Sequence, residues 1–288
     1  MLNVGVAGGT GGVGRTIVEV LASSKHNAVV FSRRPGDGVI IVDYGSVDAL
    51  VDILESNNIH TANLTEAAIR SESTKRFIPS SYAISCPQEA FKVLPQLKYY
   101  FDAIETLKHS GLEWTVFHDG IFLDYFGGPS LKSHLKHNVF VIDLANKVAA
   151  IPGDGNATVT FTYTFDLAKF VVAALDLEQW PQESRVVGDE MTWNEFVALA
   201  EKITGSKFEI HHDTIERLKR FEITELPGHR ALYEHFPKKA YQWFMSTFEL
   251  FTTDGGSWVP REGSLNELFP GIQPLTVRDV LEQYWAGN

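Results

Sequence analysis

Val4-Gly5-Val6-Ala7-Gly8-Gly9-Thr10-Gly11-Gly12-Val13-Gly14 joins an apolar run to a helix-patterned segment through a loop that is nearly all glycine. Leu2 to Ala7 is a short, mostly apolar run, as expected for a strand covered on both faces of a parallel sheet. Arg15 to Ser23 carries Ile17, Val18, Val20 and Leu21, which predicts a helix packed on that sheet. The glycines satisfy two registers, Gly9-x-Gly11-x-x-Gly14 and Gly8-x-x-Gly11-x-x-Gly14. Glycine lets the backbone turn tightly and lie close to a pyrophosphate, whose charge sits at the helix N-terminus. A strand before and a helix after make Gly8, Thr10, Gly11, Gly12, Val13 and Gly14 candidates for holding a dinucleotide. A glycine turn that keeps the fold without the ligand would carry the same pattern.

Ala28-Val29-Val30-Phe31 is the core of the next strand, and Ser32-Arg33-Arg34-Pro35 follows at its C-terminal end. An acidic residue there would hydrogen-bond the adenosine ribose and favour NAD. An arginine instead pairs with a 2′-phosphate in bidentate geometry. Arg33 is the first candidate and Arg34 the second, so NADP(H) is the expected cofactor. Two solvated loop charges are the alternative.

The chain has 288 residues, 44% of them hydrophobic, enough for one large domain or two closely joined ones. A formal charge of −11 with no basic run argues against a nucleic-acid partner. Cys86 is the only cysteine, so no intrachain disulfide forms and a reducing compartment suits the chain. The N-terminus has strand and glycine loop where a signal peptide would have charged and apolar regions. No apolar run approaches the ~20 residues that span a bilayer. A cytoplasmic protein without membrane or metal is expected.

Further along, Val39 to Tyr44 predicts a third strand and Val47 to Ser56 an amphipathic helix. Ile59 to Ala62 leaves room for no more than a stub of strand before the helical Asn63 to Ile69. Arg76-Phe77-Ile78-Pro79 reads as a strand, with Ser80-Ser81-Tyr82 at its carboxyl end, where ligands of open parallel sheets bind. A helix from Leu97 to His109 should close on a left-handed Gly111. Glu113 to Phe117 is the next strand, and His118-Asp119 leave its end. Later, Phe165-Asp166 is expected to cap a helix, and Thr192-Trp193-Asn194-Glu195 is a capping box. Phe236, Trp243, Phe244, Met245, Phe248 and Phe251 predict an aromatic lid suited to a flat apolar substrate. The expected fold is α/β, a Rossmann-like doubly wound parallel sheet over residues 1–120. A smaller, mostly helical substrate-binding part over 121–288 sends segments back to the sheet.

These segments resemble the NmrA-like and isoflavone-reductase-like branch of atypical short-chain dehydrogenases, in particular its fungal members in secondary metabolism. Gly8 to Gly14, Ser32-Arg33-Arg34, Lys75 to Ser81, Ser110 to Gly120, Pro152 to Asn156 and Met191 to Glu195 carry the resemblance. It implies NADP(H) and a cleft between the sheet and the C-terminal part. Two departures stand out. The family's reductases place a lysine on the helix before the Ser110-Gly111-Leu112 segment, where this chain has Tyr100. Lys98, two residues away, should lie about 200° around a helix of 3.6 residues per turn and face elsewhere. A strand and its loop are also missing near His60 to Asn63, so an irregular sheet is expected there.

Three functions follow. The first is an NADP(H)-dependent reductase of an aromatic or polyketide-derived compound, with Ser80 at the nicotinamide end and a proton from Tyr82, Tyr100 or His118. The second is a non-redox cyclase or isomerase working through His118, Asp119 and Tyr82. The third is an NADP-sensing regulator without turnover. A small aromatic substrate is the expected partner, and a homodimer is an assembly the sequence allows.

Overall fold

The computed structural model describes residues 1–57, 61–62, 64–95 and 97–287. The N-terminal half alternates strands and helices: β1 (Asn3–Ala7), α1 (Gly12–Leu21), β2 (Asn27–Ser32), β3 (Val39–Ile41), α2 (Val47–Ser56), β4 (Thr61–Ala62), α3 (Thr65–Arg70), β5 (Arg76–Phe77), α4 (Leu97–Lys108) and β6 (Glu113–Trp114). Among the described residues these strands form one parallel sheet in the order β3-β2-β1-β4-β5-β6. The order reverses beside β1, which is where doubly wound sheets bind ligands. The run predicted over Glu113 to Phe117 breaks at Thr115 and resumes as β7 (Val116–His118). A segment from the C-terminal half, Glu183–Arg185, returns to pair in parallel with β7. Buried Thr115 and Ser184 join their hydroxyls across this seam at 2.8 Å.

Apolar side chains cover both faces. Val4, Val6 and Phe117 pack with Ile17 and Leu21 of α1 and with Leu167 and Phe170 of α5 (Thr164–Ala174). On the other face Phe31, Phe77, Trp114 and Val116 meet Leu50 and Leu54 of α2, Ala67 of α3 and Leu107 of α4. Neighbours along one strand, Val116 and Phe117, thus serve opposite faces, as the pleat requires. A third cluster lies in the C-terminal part, around Phe126, Phe161, Trp193 and Phe196. The helix Trp193–Thr204 that carries two of these starts with the expected capping box, Thr192 with Glu195, and ends on left-handed Gly205.

Several local expectations change. The third strand is shorter than its apolar pattern, stopping at Ile41. The stub of strand is present as Thr61–Ala62, which pairs with both β1 and β5. The rest of that interval, Asn58 to His60 and Asn63, lies outside the described residues. Gly111 is not left-handed. After α4, Ser110 instead donates its hydroxyl to the Leu107 carbonyl and accepts from the Leu112 N–H. Asp166 does not cap α5 but pairs with Lys169 and accepts the N–H of Leu275. The cap comes from distant Asp124, which accepts the Thr164 N–H at 2.9 Å and its hydroxyl at 2.7 Å. A carboxylate at a helix N-terminus has the same effect whichever part of the chain supplies it.

Gly120, where the chain leaves the sheet, has φ +74°, and a Cβ there would lie 2.2 Å from the Thr160 carbonyl oxygen. Gly120→Ala should therefore lower stability by more than about 2 kcal/mol in thermal or urea unfolding. Gly111→Ala, with nothing within 4 Å of the new methyl, should stay within about 1 kcal/mol of the parent. Equal stability of the two variants would contradict this assignment.

Candidate active site

The glycine loop divides its tasks. Gly8 takes φ +71° and donates its N–H to the Phe31 carbonyl across to β2 at 3.0 Å. A Cβ on Gly14 would lie 2.7 Å from the Gly8 carbonyl oxygen, so only glycine lets α1 start this close to the loop. A Cβ on Gly9 would meet Val18 and Val30 at 2.9 and 3.0 Å. Gly11 has nothing within 4 Å and faces open space. The register that matters is Gly8-x-x-Gly11-x-x-Gly14, and Gly9 is a packing residue. Gly11 is the N-cap of α1, with no side-chain cap and no acidic residue in the first turn. The positive end of the helix dipole and its unpaired amides are thus left for a ligand.

This loop opens onto a cleft of about 450 Å³, lined by Gly8, Gly11, Val13 and Gly14 on one side and by Ser80, Ser81, Tyr82, Cys86 and Tyr100 on the other. Thr10 and Gly12 belong to the same loop but are not among the lining residues. Arg33 and Arg34 follow β2 as exposed residues, with no ion pair among the described residues. Tyr44 donates its hydroxyl to the Phe31 carbonyl at 3.3 Å. Burial raises the Tyr44 pKa, while the Gly8 backbone and the Arg33 charge act the other way. Arg34 is turned by a hydrogen bond from its N–H to Ser32 Oγ.

An apolar pocket of about 220 Å³ adjoins the cleft. Tyr82, Ala83 and Ile84 line both spaces, and Tyr82 is the one titratable side chain common to them. Phe122, Tyr125 and Phe140 form further walls, and Phe244, Met245 and Phe248 cover the pocket from the helix Lys238–Phe251. The predicted aromatic lid is therefore in place. Tyr82 packs against Phe117 with ring centroids 5.9 Å apart. Burial, with the Asp119 charge adding to it, holds its hydroxyl proton far above the ordinary tyrosine range.

Tyr100 does face the cleft from α4, whereas Lys98 is exposed and paired with Asp102 at 2.5 Å. No lysine is among the residues lining the cleft. Burial pushes Tyr100 up to about 12, with Cys86 and Glu183 adding and a hydrogen bond with Ser81 offsetting part.

His118 and Asp119 line neither the cleft nor the apolar pocket. Phe117 turns towards Tyr82, so alternation along β7 sends His118 to the α4 side. There it lines a separate cavity of about 410 Å³, shared with Tyr100, Cys86 and Glu183. Its Nδ1 is enclosed without a hydrogen-bond partner, and burial lowers its pKa. Asp119 is fully buried, and neither carboxylate oxygen has a partner. Burial raises its pKa well above the usual range, with Asp124 adding to the shift. Its N–H holds the Ala83 carbonyl at 3.1 Å. Ile84, Asn138 and Phe140, absent from the sequence-based candidates, line the apolar pocket; no short motif announces them, because tertiary packing alone brings them there.

Fold and cleft together define a Rossmann-like dinucleotide-binding protein with an apolar pocket beside its nucleotide cleft. No family model matches the chain. It is 33% identical over 95% of its length, and 96% of the relative's, to the oxidoreductase BOA1 of Botryotinia fuckeliana. It is 24% identical to a bifunctional pinoresinol-lariciresinol reductase of Linum perenne, covering 97% of this chain and 98% of that one. Among solved structures, the leucoanthocyanidin reductase–NADPH complex of Vitis vinifera superposes with a TM-score of 0.75 at 17% identity, covering 98% and 99% of the two chains, which speaks to the fold. The chain belongs to the NmrA-like and isoflavone-reductase-like family.

Gly11→Val should leave stability within about 0.5 kcal/mol, since its surroundings are open, yet weaken nucleotide binding at least tenfold by covering the α1 amides. Gly14→Val should instead lower the melting temperature sharply. Fluorescence titration and thermal melts of both variants check the division. A Gly11→Val protein that binds nucleotide like the parent would contradict it.

Proposed function

We propose that the protein is an NADP(H)-dependent reductase of an aromatic or polyketide-derived small molecule. The observation that carries the proposal is that Tyr82, Ala83 and Ile84 line both the glycine-loop cleft and the apolar pocket. The residues present fit the cofactor. Gly11 leaves open space over an uncapped helix N-terminus, and Arg33 stands exposed at the end of β2 without an ion pair among the described residues. NADPH supplies a hydride when bound.

The chain's own residues do the rest. The amides at the start of α1 hold the pyrophosphate. Arg33 pairs with the 2′-phosphate, and its guanidinium fork distinguishes that group from a bare ribose hydroxyl. Ser80 and Ser81 lie at the end of the cleft nearest the apolar pocket and orient the reacting end. Phe122, Tyr125, Phe140 and Phe248 hold an apolar body and exclude water. Tyr82 keeps its proton at neutral pH and stands where cleft and pocket meet, so it gives that proton to the atom opposite the one reduced. Tyr100, in the place of the family's lysine, hydrogen-bonds through Ser81 and carries no positive charge.

The names of relatives support this reading. BOA1 is an oxidoreductase, and the Linum relative is a reductase of pinoresinol and lariciresinol. A cyclase working through His118 and Asp119 is less well supported, since neither lines the apolar pocket. On this view residues up to about 120 serve the cofactor and later ones the substrate, in a cytoplasmic enzyme of secondary metabolism.

Tyr82→Phe removes one oxygen and keeps the packing on Phe117. It should reduce NADPH-dependent turnover of the accepted substrate by about 10²–10⁴-fold while leaving nucleotide affinity unchanged. Unaltered turnover would exclude Tyr82 as proton donor. Arg33→Ala should weaken NADPH by at least about tenfold, the loss of one charge-assisted pair, and leave NADH unaffected. An equal loss for both nucleotides would contradict the role of Arg33.

A further inference from the structure

The apolar pocket has a second neighbour. A cavity of about 460 Å³ shares Tyr125 and Asn138 with it and is lined further by Ser133, Lys136 and His137. The apolar pocket, about 220 Å³, is smaller than the roughly 300–1,000 Å³ of ordinary ligand sites. A ligand that fills it must extend beyond it. Its lining is shared on one side with the cleft, at Tyr82 to Ile84, and on the other with the larger cavity, at Tyr125 and Asn138. Neighbouring one another in this order, the three spaces would take the reacting end of a ligand at one side and its far end at the other.

The charges of the far space are uneven. The loop that forms it rests on α1. Lys132 and His134 both pair with Glu19 of that helix, and Leu135 approaches the position of a Gly12 Cβ at 3.9 Å. Those two basic residues are thus spent on holding the loop. The next two, Lys136 and His137, have no ion pair among the described residues and line the cavity. The one carboxyl there, Asp124, is engaged internally. Its oxygens accept from Ser133 Oγ at 2.6 Å and from the Thr164 N–H and hydroxyl. Lys136 and His137 are both exposed side chains at the rim of that cavity, and in a chain of net charge −11 a lysine there without a carboxylate partner favours an oxyanion over a neutral group.

We infer that the substrate carries a carboxylate at the end remote from the reduced atom, held by Lys136 with His137 beside it. The substrate class is then an aromatic or polyketide-type acid, with its ring system in the apolar pocket. This inference rests on the aromatic-substrate reading of that pocket and adds its polar end.

The test uses the NADP⁺-loaded protein and two probes with the same apolar body, 4-phenylbutanoate and 4-phenylbutanol, titrated by calorimetry at neutral pH. The acid should bind about fivefold tighter than the alcohol, the size of a partly screened ion pair, and the preference should shrink as salt is raised. Lys136→Gln should abolish the preference without changing the affinity for the alcohol, and Lys136→Glu should reverse it. Equal affinities in the parent, or a Lys136→Gln loss shared by both probes, would overturn the carboxylate assignment while leaving the apolar pocket standing. Binding of neither probe would overturn the aromatic-substrate reading and this inference with it.

Discussion

The close approach of α1 to its own preceding loop is the constraint on which the rest depends. The Gly14 backbone lies so near the Gly8 carbonyl that a single methyl would come within 2.7 Å of it. That contact sets where the helix begins, and so where its unpaired amides point. The opposite wall of the cleft is set just as tightly. Ser81 Oγ accepts the Phe117 N–H at 3.3 Å, and Asp119 N–H fixes the Ala83 carbonyl. These bonds hold the Ser80 to Ile84 stretch across the ends of β5 and β7. The cleft therefore arises from two backbone segments, each held in place by contacts within the chain.

The C-terminal part completes the site by covering it, and its own packing explains why it holds still. Phe126, Phe161, Trp193 and Phe196 pack ring against ring, with centroids between 4.8 and 6.1 Å. Tyr241 anchors the lid helix by donating its hydroxyl to the Val139 carbonyl at 2.7 Å. Phe244, Met245 and Phe248 then project from a fixed helix over the apolar pocket. Burial of this kind contributes on the order of 1.5–3 kcal/mol per large apolar side chain, so the lid is part of the core and not an appendage.

What the sequence made legible was local. Glycine spacing marked the nucleotide loop, and the aromatic stripe from Phe236 to Phe251 marked the lid, because each pattern lies within one element. The place of the arginines after β2 was legible for the same reason, while their pairing with a 2′-phosphate belongs to the proposal. His118 and Asp119 were not: the sequence shows that they follow a strand, but which face each takes depends on where β7 begins after the break at Thr115. The capping of α5 by Asp124 was hidden too, since its two partners lie 40 residues apart. The short strand Thr61–Ala62 was foreseen as a stub, and pairing on both sides lets two residues keep the order of the sheet. Tyr100 was legible as a departure from the family, and its place in the cleft wall followed from the helical register that turns Lys98 outward.

On the proposed function, the glycine-loop cleft and the apolar pocket form one redox site meeting at Tyr82. A crystal structure of the protein with NADP⁺ tests it most directly, through the position of the nicotinamide ring in the electron density. The pyrophosphate should lie over Gly11 to Gly14 and the ring at Tyr82, with its reactive carbon facing the apolar pocket. A ring lodged in the cavity of His118 and Glu183, or a pyrophosphate away from the α1 N-terminus, would contradict it.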